Sequence, residues 1–135
     1  MNAMTTYLFF DGECKEAMQF YKECLGGELF LMTYGEAPCE TPDNLKDRII
    51  HASLKNGSAV LMASDKGLDI PLNVGNNFKV SIGCDSMEEL QKFFAALSEK
   101  GTVRMPLADT FWGAHLGMLT DKFGINWMVS LPTPA

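Results

Sequence analysis

A chain of 135 residues and 14.9 kDa, 47% apolar and 21% charged, has the size of one ordinary globular domain or of one unit built from two small halves. Its formal charge of −6, from 11 Lys and Arg against 17 Asp and Glu, excludes nucleic acid as an expected partner, because such binding rests on neutralising phosphates. The early apolar run, residues 7–10, is too short for a signal peptide or for the roughly 20 residues of a membrane helix. The expectation is a soluble, cytoplasmic protein with no membrane partner.

The four cysteines, Cys14, Cys24, Cys39 and Cys84, form no C-x-x-C pair. Zinc-ribbon and thioredoxin readings therefore lose their sequence support, and reduced, separately placed thiols are expected.

In chain order, residues 5–10 read as a strand. Residues 13–25 follow as a helix, with Ala17, Phe20, Tyr21 and Cys24 on one face and Gly26-Gly27 as its stop. Strands are expected at 29–34, 49–55 and 59–64, the last two joined at Asn56-Gly57, a strong hairpin signal. The pattern then restarts with a strand at 78–84. A helix over 86–100 has Ser86 as N-cap and Glu89 three residues on, and its face is Leu90, Phe93, Phe94 and Leu97. Gly101 supplies the stop, and strands are expected at 102–107, 114–120 and 125–131.

Strand, helix and three strands thus occur twice, offset by about 74 residues. The fold class is α+β: two βαβββ modules, approximately 1–72 and 73–135, whose strands pair into a curved, cavity-enclosing sheet with both helices outside. Alternation sorts each strand into a helix-facing and an inward-facing set. In the fifth strand Val80 and Ile82 face the helix, and Lys79 and Ser81 face inward. The loops 35–48 and 66–77 read first as surface connections, with a lid as the sharper alternative.

The opening string YLFFDGECKEA, with the later strings IHASL, LMASD, MPLADTFWG and DKFGINWM in this order, resembles the PhnB-like branch of the glyoxalase/bleomycin resistance/dioxygenase (vicinal oxygen chelate) superfamily. The likeness runs over nearly the whole chain. It implies one glyoxalase-like domain over 1–135 and a homodimer with cavities at module interfaces. It also implies that metal-using relatives place His, Glu or Gln ligands at inward positions of the first, fourth, fifth and eighth strands. Those positions correspond here to Thr6, Met62, Lys79 and Met128. A hydroxyl, two thioethers and an ammonium do not suit a divalent ion, so no metal and no other cofactor is expected. No phosphate-binding glycine motif occurs, which also counts against methyl transfer from a nucleotide-type cofactor.

Other side chains carry chemistry. His51 shares a strand face with Ser53 and Lys55 and suits an acid or base role, against the blander role of a hydrogen-bonded rim histidine. His115 stands three residues after Trp112 and suits a hydrogen bond from the cavity wall, against the equally simple role of a partly exposed strand histidine. Lys79 among apolar neighbours suits an anchor for an anionic ligand, against pairing with a carboxylate such as Asp109. Trp112 suits stacking on a flat ligand. Cys14 opens a helix, where a thiol can become reactive, although an inert thiol is the simpler expectation.

The leading functional expectation is a metal-independent small-molecule-binding protein of the PhnB-like type, with substrate-binding candidates Thr6, His51, Met62, Lys79, Trp112, His115 and Met128. The alternative is a divalent-metal-dependent lyase, isomerase or dioxygenase of the same superfamily.

Overall fold

The computed structural model describes residues 1–38, 40–67 and 70–132. Cys39 therefore lies outside the described residues, as do positions 68 and 69 of the second loop. The elements are β1 (Thr6–Phe10), α1 (Cys14–Leu25), β2 (Glu28–Thr33), β3 (Ile49–Asn56), β4 (Ala59–Asp65), β5 (Val80–Gly83), α2 (Met87–Ser98), β6 (Thr102–Asp109), β7 (Ala114–Thr120) and β8 (Asn126–Pro132). The chain divides into two compact units, Met1–Asn73 and Val74–Ala135. Each is a βαβββ module with its own four-stranded mixed sheet, ordered β1-β4-β3-β2 in the first and β5-β8-β7-β6 in the second. The curved sheet expected from sequence is thus resolved as two, one per module. In each, the strand before the helix pairs in parallel with the last strand, and the remaining pairs are antiparallel.

In the first module, cross-strand pairing builds the row Leu8, Ala63, Ala52 and Leu31. Of these, Leu8, Ala63 and Ala52 are buried. They meet the buried face of α1, which includes Ala17, Phe20, Tyr21 and Cys24 as the periodicity predicts. Helix α1 has no side-chain cap of its own. Asp65, at the end of β4, does that work from a distance. Its Oδ1 accepts from the backbone N–H groups of Gly12 at 2.8 Å and Cys14 at 3.0 Å, and its Oδ2 accepts from Ile49 N–H at 2.9 Å. A buried carboxylate is tolerated because three donors replace its water.

The second module solves the same problem locally. Ser86 Oγ accepts from Glu89 N–H at 3.1 Å, while the Glu89 carboxylate accepts from Asp85 N–H at 3.2 Å, one residue short of the expected capping box. Trp127 and Val129 are buried with Leu119, Leu90, Phe94 and Leu97. Asp121, the first residue of the DKFG string, accepts from Phe123 N–H, Ile125 N–H and Trp127 Nε1–H. The string thus fastens a turn to a buried indole.

The loop 35–48 holds two one-turn 3-10 helices, Tyr34–Glu36 and Asp43–Leu45. Its base is closed by Tyr34 N–H to Arg48 O at 2.8 Å and Gly35 N–H to Lys46 O at 3.0 Å.

Candidate functional site

The face of the first sheet turned away from α1 is built from two rows. Pairing sets Tyr7 beside Met62, Met62 beside Ser53 and Ser53 beside Phe30. The next row holds Phe9 beside Ser64 and His51 beside Met32. The result is an aromatic surface with a polar centre. Tyr7 and Phe9 stand 5.2 Å apart between ring centroids, Tyr7 and His51 stack at 5.7 Å and 28°, and Phe30 is tilted over His51 at 6.5 Å. Tyr7 Oη and His51 Nδ1 are hydrogen-bonded at 3.0 Å. Phe9 and Phe30 are 54% and 49% exposed, so their rings stand open to solvent.

At one end of this module Asp11 is held by Arg48 at 2.8 Å, with Lys66 at 3.7 Å. The hydrogen bond from the guanidinium, aided by the charges of Lys66 and Arg48, holds the Asp11 carboxyl below its usual range. Cys14 is fully buried, and burial followed by the nearby Asp65 carboxylate pushes its thiol up to about 12. The helix start does not activate it, because desolvation opposes the thiolate. Cys84 is likewise pushed up to about 11, by burial and then by Glu89 and Asp85.

In the second module, the face turned away from α2 carries Ser81, Met128, Met118 and Met105 in one row. Lys79 immediately precedes β5 and is half-buried. Asp109, the partner expected for Lys79, is engaged by His115, whose Nδ1 lies 2.7 Å from Asp109 Oδ1. At the β6–β7 turn Thr110 Oγ1 donates to Ala114 O and accepts from Ala114 N–H. Gly113 takes φ 90°, and this tight closure pushes Phe111 and Trp112 outward, 97% and 62% exposed. Their rings meet edge to face at 4.9 Å.

The profile of the Glyoxalase/Bleomycin resistance protein/Dioxygenase superfamily matches residues 3–129. The chain belongs to this superfamily. Among curated proteins it is similar to protein YjdN of Escherichia coli (strain K12), at 28% identity over 95% of this chain and 94% of that protein. Among solved structures it is similar to protein PA1353 from Pseudomonas aeruginosa, with a TM-score of 0.90 and 42% identity over 99% of this chain and 100% of that one. A PhnB protein from Bacillus cereus, described as a putative 3-demethylubiquinone-9 3-methyltransferase, superposes with a TM-score of 0.75 at 25% identity over 96% and 99% of the two chains. The PhnB-like character expected from the sequence strings is supported by this neighbour.

Against the superfamily's divalent-metal positions, the residues of this chain do not fit. Thr6 pairs with Leu61 and alternates with Tyr7, sharing the helix-side face with buried Leu8 and Phe10. It is therefore misassigned as an inward residue, and Tyr7 takes the open face. A phenol and a thioether in the first module, and an ammonium and a thioether in the second, offer no imidazole or carboxylate to a hard or borderline ion. Among the described residues no group of three or more His, Cys, Asp or Glu side chains stands close enough to hold a metal.

His51 and Met62 share the open face of the first sheet, and Met128 that of the second. His115 does not. It pairs with Leu131 in step with Gly117 beside Val129 and Leu119 beside Trp127, which places it on the helix side of β7. Trp112 sits on an outward turn, away from both sheet faces. Sequence reasoning missed Tyr7, Phe9 and Phe30. The run Tyr7-Leu8-Phe9-Phe10 is apolar on both faces, so no local signal groups Tyr7 with Met62; the pairing of β1 with β4 does.

Proposed function

We propose that this chain is a small-molecule-binding protein of the PhnB-like type that works without a catalytic metal, and that its ligand has a flat apolar part. The observation that carries this reading is the Tyr7–His51 hydrogen bond set among the open rings of Tyr7, Phe9 and Phe30. Aromatic faces attract a planar ligand, and the phenol–imidazole pair orients its polar edge. Met62 supplies an adaptable apolar floor. Lys79 of the second module is proposed by itself as a cationic contact for organic anions. The donor chemistry at the superfamily's metal positions supports metal independence.

The protein acts as a cytoplasmic homodimer in this proposal. Two buried free thiols, Cys14 and Cys84, suit a reducing compartment, and the outward Phe111–Trp112 pair suits a protein partner surface.

The test is a fluorescence titration of full-length, chelator-treated protein with two probes of one ring system, neutral N-phenyl-1-naphthylamine and anionic 8-anilino-1-naphthalenesulfonate. Both are expected to bind without added metal, and Tyr7→Ala and Phe30→Ala each to weaken binding by about tenfold. Binding that requires added zinc, or affinities unchanged in both variants, overturns the proposal. Native mass spectrometry reads the subunit count on the same sample.

A further inference from the structure

The second sheet carries an arrangement that the first lacks. Cα pairing sets Met105 beside Met118 and Met118 beside Met128, so three thioethers form one row across β6, β7 and β8, closed by Ser81 of β5. Neighbouring strands lie about 4.8 Å apart, and the unbranched methionine side chain has the freedom to lean across that gap. The corresponding row of the first sheet is Phe30, Ser53, Met62 and Tyr7, with a single thioether. The topology alone therefore does not impose the methionine row.

Strand β6 is irregular on both sides of Met105. The register shifts between Val103 and Met105 and again between Met105 and Ala108. Were the ladder to continue evenly from the pairing of Val103 with Leu119, Arg104 would stand opposite Met118. The bulge sets a thioether opposite Met118, while Arg104 stays beside the row, its Nε donating to Thr120 Oγ1 at 3.1 Å. All three methionines are half-buried, whereas the helix side of these strands is filled by buried Leu119, Trp127 and Val129. The thioethers are thus gathered on the face turned away from α2, where Leu116 is buried beside them.

We infer that Met105, Met118 and Met128 form a binding site for a soft monovalent d10 ion, Cu(I) or its redox-inert analogue Ag(I). Thioether sulfur is a soft, neutral donor that selects such ions over divalent hard or borderline ones. The site uses no residue of the first module's aromatic face and stands without the function proposed for it. Of the superfamily's divalent-ligand positions it includes only Met128. A thioether has no proton to lose, so binding is insensitive to pH where imidazole or thiolate sites weaken as pH falls.

Full-length protein labelled at the methionine methyl carbons is titrated with silver nitrate in chloride-free buffer at about pH 5.5 and about pH 7, conditions under which a protonating donor set separates from a thioether set. Once accessible thiols are alkylated under native conditions, one equivalent is expected to shift the methyl signals of Met105, Met118 and Met128 together, with equal affinity at the two pH values. Met118→Leu, at the centre of the row, is expected to weaken binding by about tenfold or more, and Met62→Leu to leave it unchanged; leucine conserves volume closely enough to keep the fold. Should Met118→Leu fail to fold, Met105→Leu and Met128→Leu give the same readout. Three unmoved methyls, an affinity that falls steeply at the lower pH, or folded row variants that bind as tightly as the parent overturn the inference.

Discussion

Gly27 and Gly101 hold the same station in the two modules. A Cβ built on either would press into a backbone carbonyl oxygen, that of Lys55 at Gly27 and that of Thr120 at Gly101. Each glycine follows its module's helix and starts the strand that leads away from it, so the chain must pass hard against a neighbouring strand end. Gly27→Ala and Gly101→Ala are each expected to destabilise the protein by about 2 kcal/mol, since backbone cannot move aside as a side chain can. Gly83, with nothing within 4 Å of its added Cβ, is the control, and Gly83→Ala is expected to be near neutral. Urea unfolding of the three variants decides the matter; equal midpoints would refute the close-approach argument.

The Asp65 carboxylate ties two segments distant from it in sequence, one through Gly12 and Cys14 and the other through Ile49. Asp65→Ala leaves three backbone donors without their acceptor in a buried place, and a loss of about 3 kcal/mol or more is expected. Asp11→Ala, at an exposed ion pair screened by water, is expected to cost far less. Chemical denaturation of the two variants compares them directly. A small effect at Asp65 would mean that water replaces the carboxylate.

Periodicity made both helices and all eight strands legible, because Ala17, Phe20, Tyr21 and Cys24, or Leu90, Phe94 and Leu97, repeat at helical spacing and are buried. Strand phase was harder to read. The run Tyr7-Leu8-Phe9-Phe10 is apolar on both faces, so nothing in it reveals that Leu8 and Phe10 turn inward under α1 while Tyr7 and Phe9 turn out. Thr6 was misplaced for that reason. His115 lies on β7 as a partly exposed strand histidine, and its neighbours Ala114 and Leu116 offer no polar contrast to reveal its face. The irregular register beside Met105 and the long-range grip of Asp65 depend on strand pairing, which local pattern does not encode.

Burial gives Cys14 a consequence at alkaline pH. In the unfolded chain its thiol ionises near its ordinary value of 9.0, while in the folded protein it holds its proton to about 12. Below pH 9 both states are protonated and the thiol is silent. Between the two values the unfolded state alone loses the proton, so stability falls as pH rises, with a slope of about 1.4 kcal/mol per pH unit for one thiol. Cys14→Ala is expected to flatten the stability profile between pH 9.0 and about 12, whatever it does to stability at neutral pH. Denaturation midpoints of both proteins across that window give the comparison, and parallel profiles would show that Cys14 ionises equally in the two states.

Lys79 is the remaining candidate whose charge has a direct functional readout. It stands half-buried before β5, and the carboxylate expected to neutralise it, Asp109, is engaged by His115 at 2.7 Å. A half-buried ammonium is screened less than one in bulk water, so its attraction for an organic anion survives moderate salt. Lys79→Met retains most of the side-chain length and removes the charge. Affinity for 8-anilino-1-naphthalenesulfonate is expected to fall by about tenfold, equivalent to about 1.4 kcal/mol, while affinity for neutral N-phenyl-1-naphthylamine stays within about twofold of the parent. The difference between the probes isolates the sulfonate, because the ring system is common to both. Equal losses for both would assign Lys79 to packing, and no loss for either would remove it from the binding surface.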